Sequence, residues 1–285
     1  MPPTLTATAL TAPIFELMRQ SEMNDWVGGS DPEAVGDACQ RILQRYIAIG
    51  PQSRLLDFGC GVGRVLLSVL KHQPAVGAIT GFDIMPPVVR FCESHIASAF
   101  PRASFQLIQG SNDHYDQFIA AGDALVAKTR EQVLAGYGSA FSGAYAFSVF
   151  THVELADFRS LLALLFELLE PGGELLFTSF LLTPYSRRAI TERTALFPFG
   201  ETAWEQDGAI FIGNRSDRLG FIAFDLALVE QMVFDAGLVI THVEHGSWTG
   251  ANFSASLQDV IVCRRPRVRT GPVQHVPIVP RAARG

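Results

Sequence analysis

The stretch LLDFGCGVGR, Leu55 to Arg64, constrains the chain more than any other. Three glycines at alternate positions directly after an apolar run describe a strand that turns sharply into a helix, because glycine adopts positive φ without steric cost. Such a turn lets the backbone approach a ligand closely and aims the helix's unpaired N–H groups and positive end at it. Asp57, two residues before the first glycine, sets the sign of that ligand: a carboxylate there repels a pyrophosphate and suits an ammonium group. The spacing also departs from the dinucleotide fingerprint GxGxxG, whose third glycine would fall on Arg64.

Strands and helices alternate around this turn. RLLDFG, AITGFDI and ASFQLIQ are predicted strands, and GRVLLSVLKHQ and PPVVRFCESHIASAF predicted helices. A helix precedes them from Ser30, with Ser30 and Glu33 as a capping box around Pro32. Further on, AYAFSVF is a fourth strand, ELADFRSLLALLFELLE a helix stopped by Pro171-Gly172-Gly173, and ELLFTSFLL a fifth strand. A helix DLALVEQMVFDAG and two strands, LVITHVEHG and QDVIVCRR, close the ordered part. Parallel pairing by right-handed crossovers follows, hence an α/β doubly wound sheet. Residues 1–29 are expected as an N-terminal extension, residues 30–265 as one domain, and residues 183–221 as an irregular insertion long enough to cover a site.

Composition bounds the partners. The 285 residues carry a net charge of −6, and six of the 22 Lys and Arg side chains lie after Cys263, in a segment with no acid. The body therefore has no broad basic face for nucleic acid, and residues 266–285, rich in Pro and Arg, are predicted to be a disordered tail. No run approaches the ~20 apolar residues of a membrane span. The four cysteines show neither zinc nor disulfide spacing, so no metal is expected and a reducing cytoplasm is.

A second acid, Asp83, ends the second strand in GFDIM, where its oxygens can accept hydrogen bonds from both hydroxyls of a ribose. LLDFGCGVGR, GFDIM, SVFTHV and LLEPGGELLFTSFL, in this order, resemble the class I S-adenosylmethionine-dependent methyltransferases over about residues 26–265. The resemblance implies a Rossmann-like seven-stranded sheet, order 3-2-1-4-5-7-6, with an antiparallel last strand and helices on both faces. It implies S-adenosylmethionine as cofactor and S-adenosylhomocysteine as product. Asp57, Gly59 and Gly61 would surround the aminoacyl end, Asp83 the ribose, Ile84 and Met85 the adenine, and Ser148 the methionine portion. Asn112 or Asp113, in QGSNDHYD, would replace the acid that such families keep at the adenine. Scattered identities in SNDHY, SVFTH, TSFLL and the late GSWTG resemble a bacterial subgroup with small-molecule or saccharide acceptors.

The reaction expected is methyl transfer to such an acceptor, a hydroxyl in this reading. His152, after the fourth strand on the carboxyl edge of the sheet, is the candidate base; hydrogen bonding at the start of the next helix is the other role open to it. His114, Tyr115 and Tyr185 are expected in the acceptor pocket, with Trp248 either walling that pocket or packing in the core. Two alternatives remain: an NAD(P)-dependent oxidoreductase, which Asp57 and Arg64 disfavour, and a non-catalytic S-adenosylmethionine-binding module. The sequence does not fix the oligomeric state.

Overall fold

The computed structural model describes residues 6–110, 125–251 and 254–267. Three helices come first: α1 (Ala7–Gln20), α2 (Met23–Trp26) and α3 (Pro32–Tyr46). Alternation then begins with β1 (Arg54–Phe58), α4 (Arg64–His72), β2 (Ala78–Asp83), α5 (Pro86–Cys92) and β3 (Ala103–Leu107). It continues through α6 (Arg130–Tyr137), β4 (Phe141–Ala146), α7 (Leu155–Leu168) and β5 (Leu169–Ser179). After β6 (Leu181–Leu182) come α8 (Pro184–Glu192), β7 (Ala203–Glu205), β8 (Ile210–Ile212) and β9 (Ile222–Asp225). The chain then runs through α9 (Leu226–Asp235), β10 (Val239–Glu244) and β11 (Asp259–Arg264).

The main sheet has the order β3-β2-β1-β4-β5-β11-β10. Strands β1 to β5 run parallel, and β11 pairs antiparallel with both β5 and β10, as the resemblance implies. Alternate residues of each strand enter different cores, the period of two that a sheet covered on both faces requires. Leu55, Leu176 and Val260 pack with α1, α3, α4 and α5, whereas Leu56, Phe177 and Ile261 pack with α6, α7 and α9. Helix α1 buries Ile14, Phe15 and Met18 in the first of these cores, so from Ala7 onward the expected extension packs as part of the body. Among the described residues no helix is long and apolar enough to cross a membrane.

Four local expectations need correction. Asp31, not Ser30, caps α3, accepting from Ala34 N at 2.8 Å, while Glu33 pairs with Arg19 and Lys71. The fourth strand lies earlier than AYAFSVF, ending at Ala146, because Ser148 takes a left-handed φ of 59° that no strand can continue. Helix α7 stops at Leu168, and Pro171-Gly172-Gly173 falls inside β5. There Gly172 N donates to Arg265 O and Arg265 N to Gly173 O, so pairing with the chain beyond β11 overrides the helical pattern. Residues 183–221 are more regular than expected: α8 and a β7–β8 hairpin lie here, joined by an irregular stretch over 193–202, and β6-β9-β8-β7 form a second, four-stranded sheet.

The second sheet is fastened to the first through aromatic packing and one arginine. Phe158 of α7 touches both Phe177 of β5 and Phe224 of β9, at centroid separations of 5.9 and 5.1 Å. Arg218 donates to Glu205 of β7 at 2.6 Å and to Glu154, the N-cap of α7, at 3.0 Å. Replacing Phe158 with Ala removes a ring shared by both sheets and is expected to cost about 3–5 kcal/mol of stability, read by chemical denaturation.

Candidate active site

The glycine turn is held from several sides. Gly59, Gly61 and Gly63 have φ of 72°, 52° and 82°, in the left-handed region. A Cβ at Gly59 would stand 2.4 Å from Val149 Cγ2, and one at Gly63 2.5 Å from Ile96 Cδ1, so space as well as backbone conformation calls for glycine. The amides of Gly59 and Cys60 both donate to Phe82 O, at 2.8 and 3.0 Å. Asp83 binds the turn with its side chain: Oδ2 accepts from Gly61 N at 2.7 Å and Oδ1 from Met85 N at 2.9 Å. One carboxylate thus ties the turn after β1 to the start of α5, a role its place at the end of a strand did not reveal. Each oxygen retains a further lone pair.

Asp57 is 2% exposed, and its Oδ2 makes no hydrogen bond among the described residues. Burial pushes its pKa up to about 8, with the neighbouring Asp83 charge adding to the rise; the Tyr145 hydroxyl and Arg64 act the other way. Tyr145 faces it across the β1–β4 ladder, where Asp57 and Tyr145 are in register. Burial raises the pKa of Asp83 too, countered by the N–H groups of Met85, Gly61 and Ile84.

Both acids open on one cavity of about 500 Å³, a size usual for small-molecule sites. Gly59, Gly61, Ile84, Met85 and Ser148 line it as well, so it gathers seven of the residues named from the sequence. Ser148 closes one side in its left-handed conformation, its amide donating to Thr178 Oγ1 at 2.8 Å and its hydroxyl to Gln258 Oε1 at 3.2 Å. Val27, between α2 and α3, also lines it, and Arg64 donates to Val27 O at 2.6 Å. Val27, Arg64 and Gln258 went unnamed as site residues because they lie far from one another along the chain; only Arg64, breaking the glycine pattern, carried a signal. A buried, unpartnered carboxylate oxygen on a cavity wall is a binding point for a cationic donor.

The remaining candidates are dispersed. Asn112, Asp113, His114 and Tyr115 lie outside the described residues. His152 does not line the cavity; its Nδ1 is 2.7 Å from Leu219 O, so the ring helps fasten the segment before β9 to the loop after β4. Trp248 is fully buried among Phe180, Phe221 and their neighbours, with Nε1 donating to Asp259 Oδ2 at 2.7 Å. It packs rather than walls a pocket. Tyr185 is exposed and lines a second cavity of about 380 Å³ beside α8. Among the described residues no group of three or more His, Cys, Asp or Glu side chains could hold a metal ion.

Known proteins share this architecture. The family model for the methyltransferase domain matches residues 32–208, more than half of the chain. An uncharacterized methyltransferase of Emericella nidulans is 29% identical over 127 residues, 44% of this chain and 41% of that protein. The chain therefore spans about two fifths of that relative's length. Among solved structures, a chain of a complex that contains the Haloferax volcanii Trm112 methyltransferase activator superposes with a TM-score of 0.54 at 13% identity, covering 89% of this chain and 98% of that one. An S-adenosylmethionine-dependent methyltransferase from Methanosarcina mazei superposes with a TM-score of 0.50 at 18% identity, over 80% of this chain and 98% of that one. With the matched domain spanning the glycine turn, both acids and the five parallel strands, the chain belongs to the class I S-adenosylmethionine-dependent methyltransferases.

Proposed function

We propose that the chain binds S-adenosylmethionine in the cavity beneath the glycine turn and methylates a hydroxyl on a small-molecule or saccharide acceptor. The observation that carries the cofactor half is the buried Asp57 Oδ2 without a partner, at the wall of a cavity whose turn admits no side chain at Gly59. An ammonium group offers that oxygen the hydrogen bond and the charge it lacks. Asp83 has a lone pair on each oxygen left for ribose hydroxyls while it holds Gly61 and Met85. Ile84 and Met85 flank the adenine, and Ser148 faces the methionine portion. The domain reading keeps residues 30–265 as the catalytic unit, with α1 packed against it and residues 183–221 shaping the acceptor side. Four free cysteines suit a reducing cytoplasm.

S-adenosylmethionine supplies a methyl group already activated by its sulfonium. The protein's share is then alignment in a dry pocket, together with a destination for the proton of a hydroxyl acceptor. The choice of hydroxyl rests on the bacterial subgroup that the sequence resembles. An acidic body agrees with a small acceptor rather than a polyanion. Incubation with radiolabelled S-adenosylmethionine and a panel of alcohols, phenols and sugars tests this half. Label appearing only on amines would overturn the hydroxyl reading.

Binding of S-adenosylhomocysteine is expected in the micromolar range, about −8 kcal/mol, with negligible binding of NAD. Asp83→Ala removes acceptors for two hydroxyls and loosens the turn, so affinity should fall at least ten- to a hundredfold in calorimetry, about 1.5–3 kcal/mol.

Asp57 makes both stability and binding depend on pH. Its folded pKa of about 8 exceeds the unfolded value, so the folded state holds a proton that the unfolded state releases, and stability declines as pH rises from about 4 to about 8. The slope due to this group reaches at most about 1.4 kcal/mol per pH unit, and Asp57→Asn should remove it in denaturation curves taken across that range. An ammonium ligand requires the ionised form. Below about pH 8, S-adenosylhomocysteine should therefore displace up to one proton, seen as a dependence of the binding enthalpy on the buffer's ionisation enthalpy. Asp57→Asn should abolish that dependence too.

A further inference from the structure

The second cavity, of about 380 Å³, lies between the start of α8 and the loop joining β10 to β11, and it shares no lining residue with the cofactor cavity. Leu181, Pro184 and Gly246 make its apolar wall, while His245, Thr249 and Asp259 bring polar groups to it. Asp259 is buried and heavily bonded: Oδ1 accepts from Gly246 N at 2.8 Å, and Oδ2 from Leu181 N at 2.8 Å and Trp248 Nε1 at 2.7 Å. His245 Nδ1 stands 3.4 Å from Asp259 Oδ1. The carboxylate beside it favours the tautomer with the proton on Nδ1, in which Nε2 of the neutral ring is an acceptor.

Thr249 supplies the complementary half. It is 5% exposed, and its Oγ1 makes no hydrogen bond among the described residues. A hydroxyl buried in this way is costly unless a ligand or water meets it. An imidazole nitrogen that accepts and a threonine hydroxyl that donates are together what an alcohol or phenol O–H needs, since such a group is one donor and one acceptor at the same atom. The frame is rigid: Trp248, between the two residues, is locked in a cluster with Phe180 and Phe221. Consecutive residues connect this cavity to the cofactor side. Gln258 bonds Ser148 and Thr178 beside the cofactor cavity, and its neighbour Asp259 lines this one.

We propose that this cavity binds the acceptor, holding a hydroxyl on an apolar frame between His245 Nε2, which accepts from it, and Thr249 Oγ1, which donates to it. The assignment rests on the methyltransferase reading above and goes beyond it in giving the acceptor a place and two polar contacts. Asp259 is then a positioning residue, orienting His245 while anchoring the backbone on both sides of the cavity.

The test uses 4-fluorophenol and fluorobenzene as probes, followed by fluorine NMR line broadening on the full chain saturated with S-adenosylhomocysteine, which keeps both probes out of the cofactor cavity. The phenol should bind about tenfold more tightly than fluorobenzene. Thr249→Val and, separately, His245→Gln should each erase most of that difference without changing the affinity for S-adenosylhomocysteine. Equal binding of both probes, no binding of the phenol, or an unchanged preference in both variants would overturn the proposal while the cofactor reading stands. Failure of the parent chain to bind S-adenosylhomocysteine would overturn both.

Discussion

The site depends on one carboxylate more than on any other group. Asp83 reaches from the end of β2 to Gly61 N on one side and Met85 N on the other, so the turn after β1 and the start of α5 hold a fixed relation to each other. Such a contact costs desolvation of a charge, visible in the raised pKa of Asp83, and backbone N–H groups offset that cost because they donate to the ionised form. The three left-handed glycines are compatible with this geometry but do not create it. What fixes the turn is the carboxylate in front of it together with the Phe82 carbonyl behind it.

The parallel half of the sheet was legible because its signals are local and repeated: apolar runs of strand length, glycines directly after β1, acids at the ends of β1 and β2. Those features place Asp57, Asp83, Gly59, Gly61, Ile84, Met85 and Ser148 on one cavity. Position in a pattern could not tell how Asp83 spends its lone pairs, since its partners are amides of other segments. Nor could it reveal that Asp31 rather than Ser30 caps α3, because the two adjacent residues both offer a side-chain acceptor and the choice turns on the phase of the helix.

The insertion was illegible for a different reason. Strands of three residues, such as β7 and β8, are too short to display a period, and the aromatics around them suggest a shield over a site. In the structure Phe197, Phe199, Phe211 and Phe221 instead pack on one another and on Trp248, giving the small sheet a core of its own. His152 illustrates the same limit. Its place after β4 suits a base, yet its ring is turned to the Leu219 carbonyl, a partner 67 residues away. The His245–Asp259 pair, by contrast, unites the end of a hairpin loop with the first residue of the last strand, a proximity that exists only once β11 has paired.

That last strand has a consequence for how the chain comes to be folded. β11 lies between β5 and β10 rather than at the rim, so the segment synthesised last among the sheet strands is the one that joins them. Until Asp259–Arg264 has left the ribosome, β5 and β10 each present an unpaired row of backbone donors and acceptors, the surface on which chains pair with the wrong partner. The N-terminal strands can collapse early around their local crossovers, whereas closure waits for a hydrogen-bonding strip of six residues. A ribosome stalled shortly before Asp259 would hold a nascent chain with its glycine turn assembled and its sheet split, an aggregation-prone state that the short wait for β11 keeps brief.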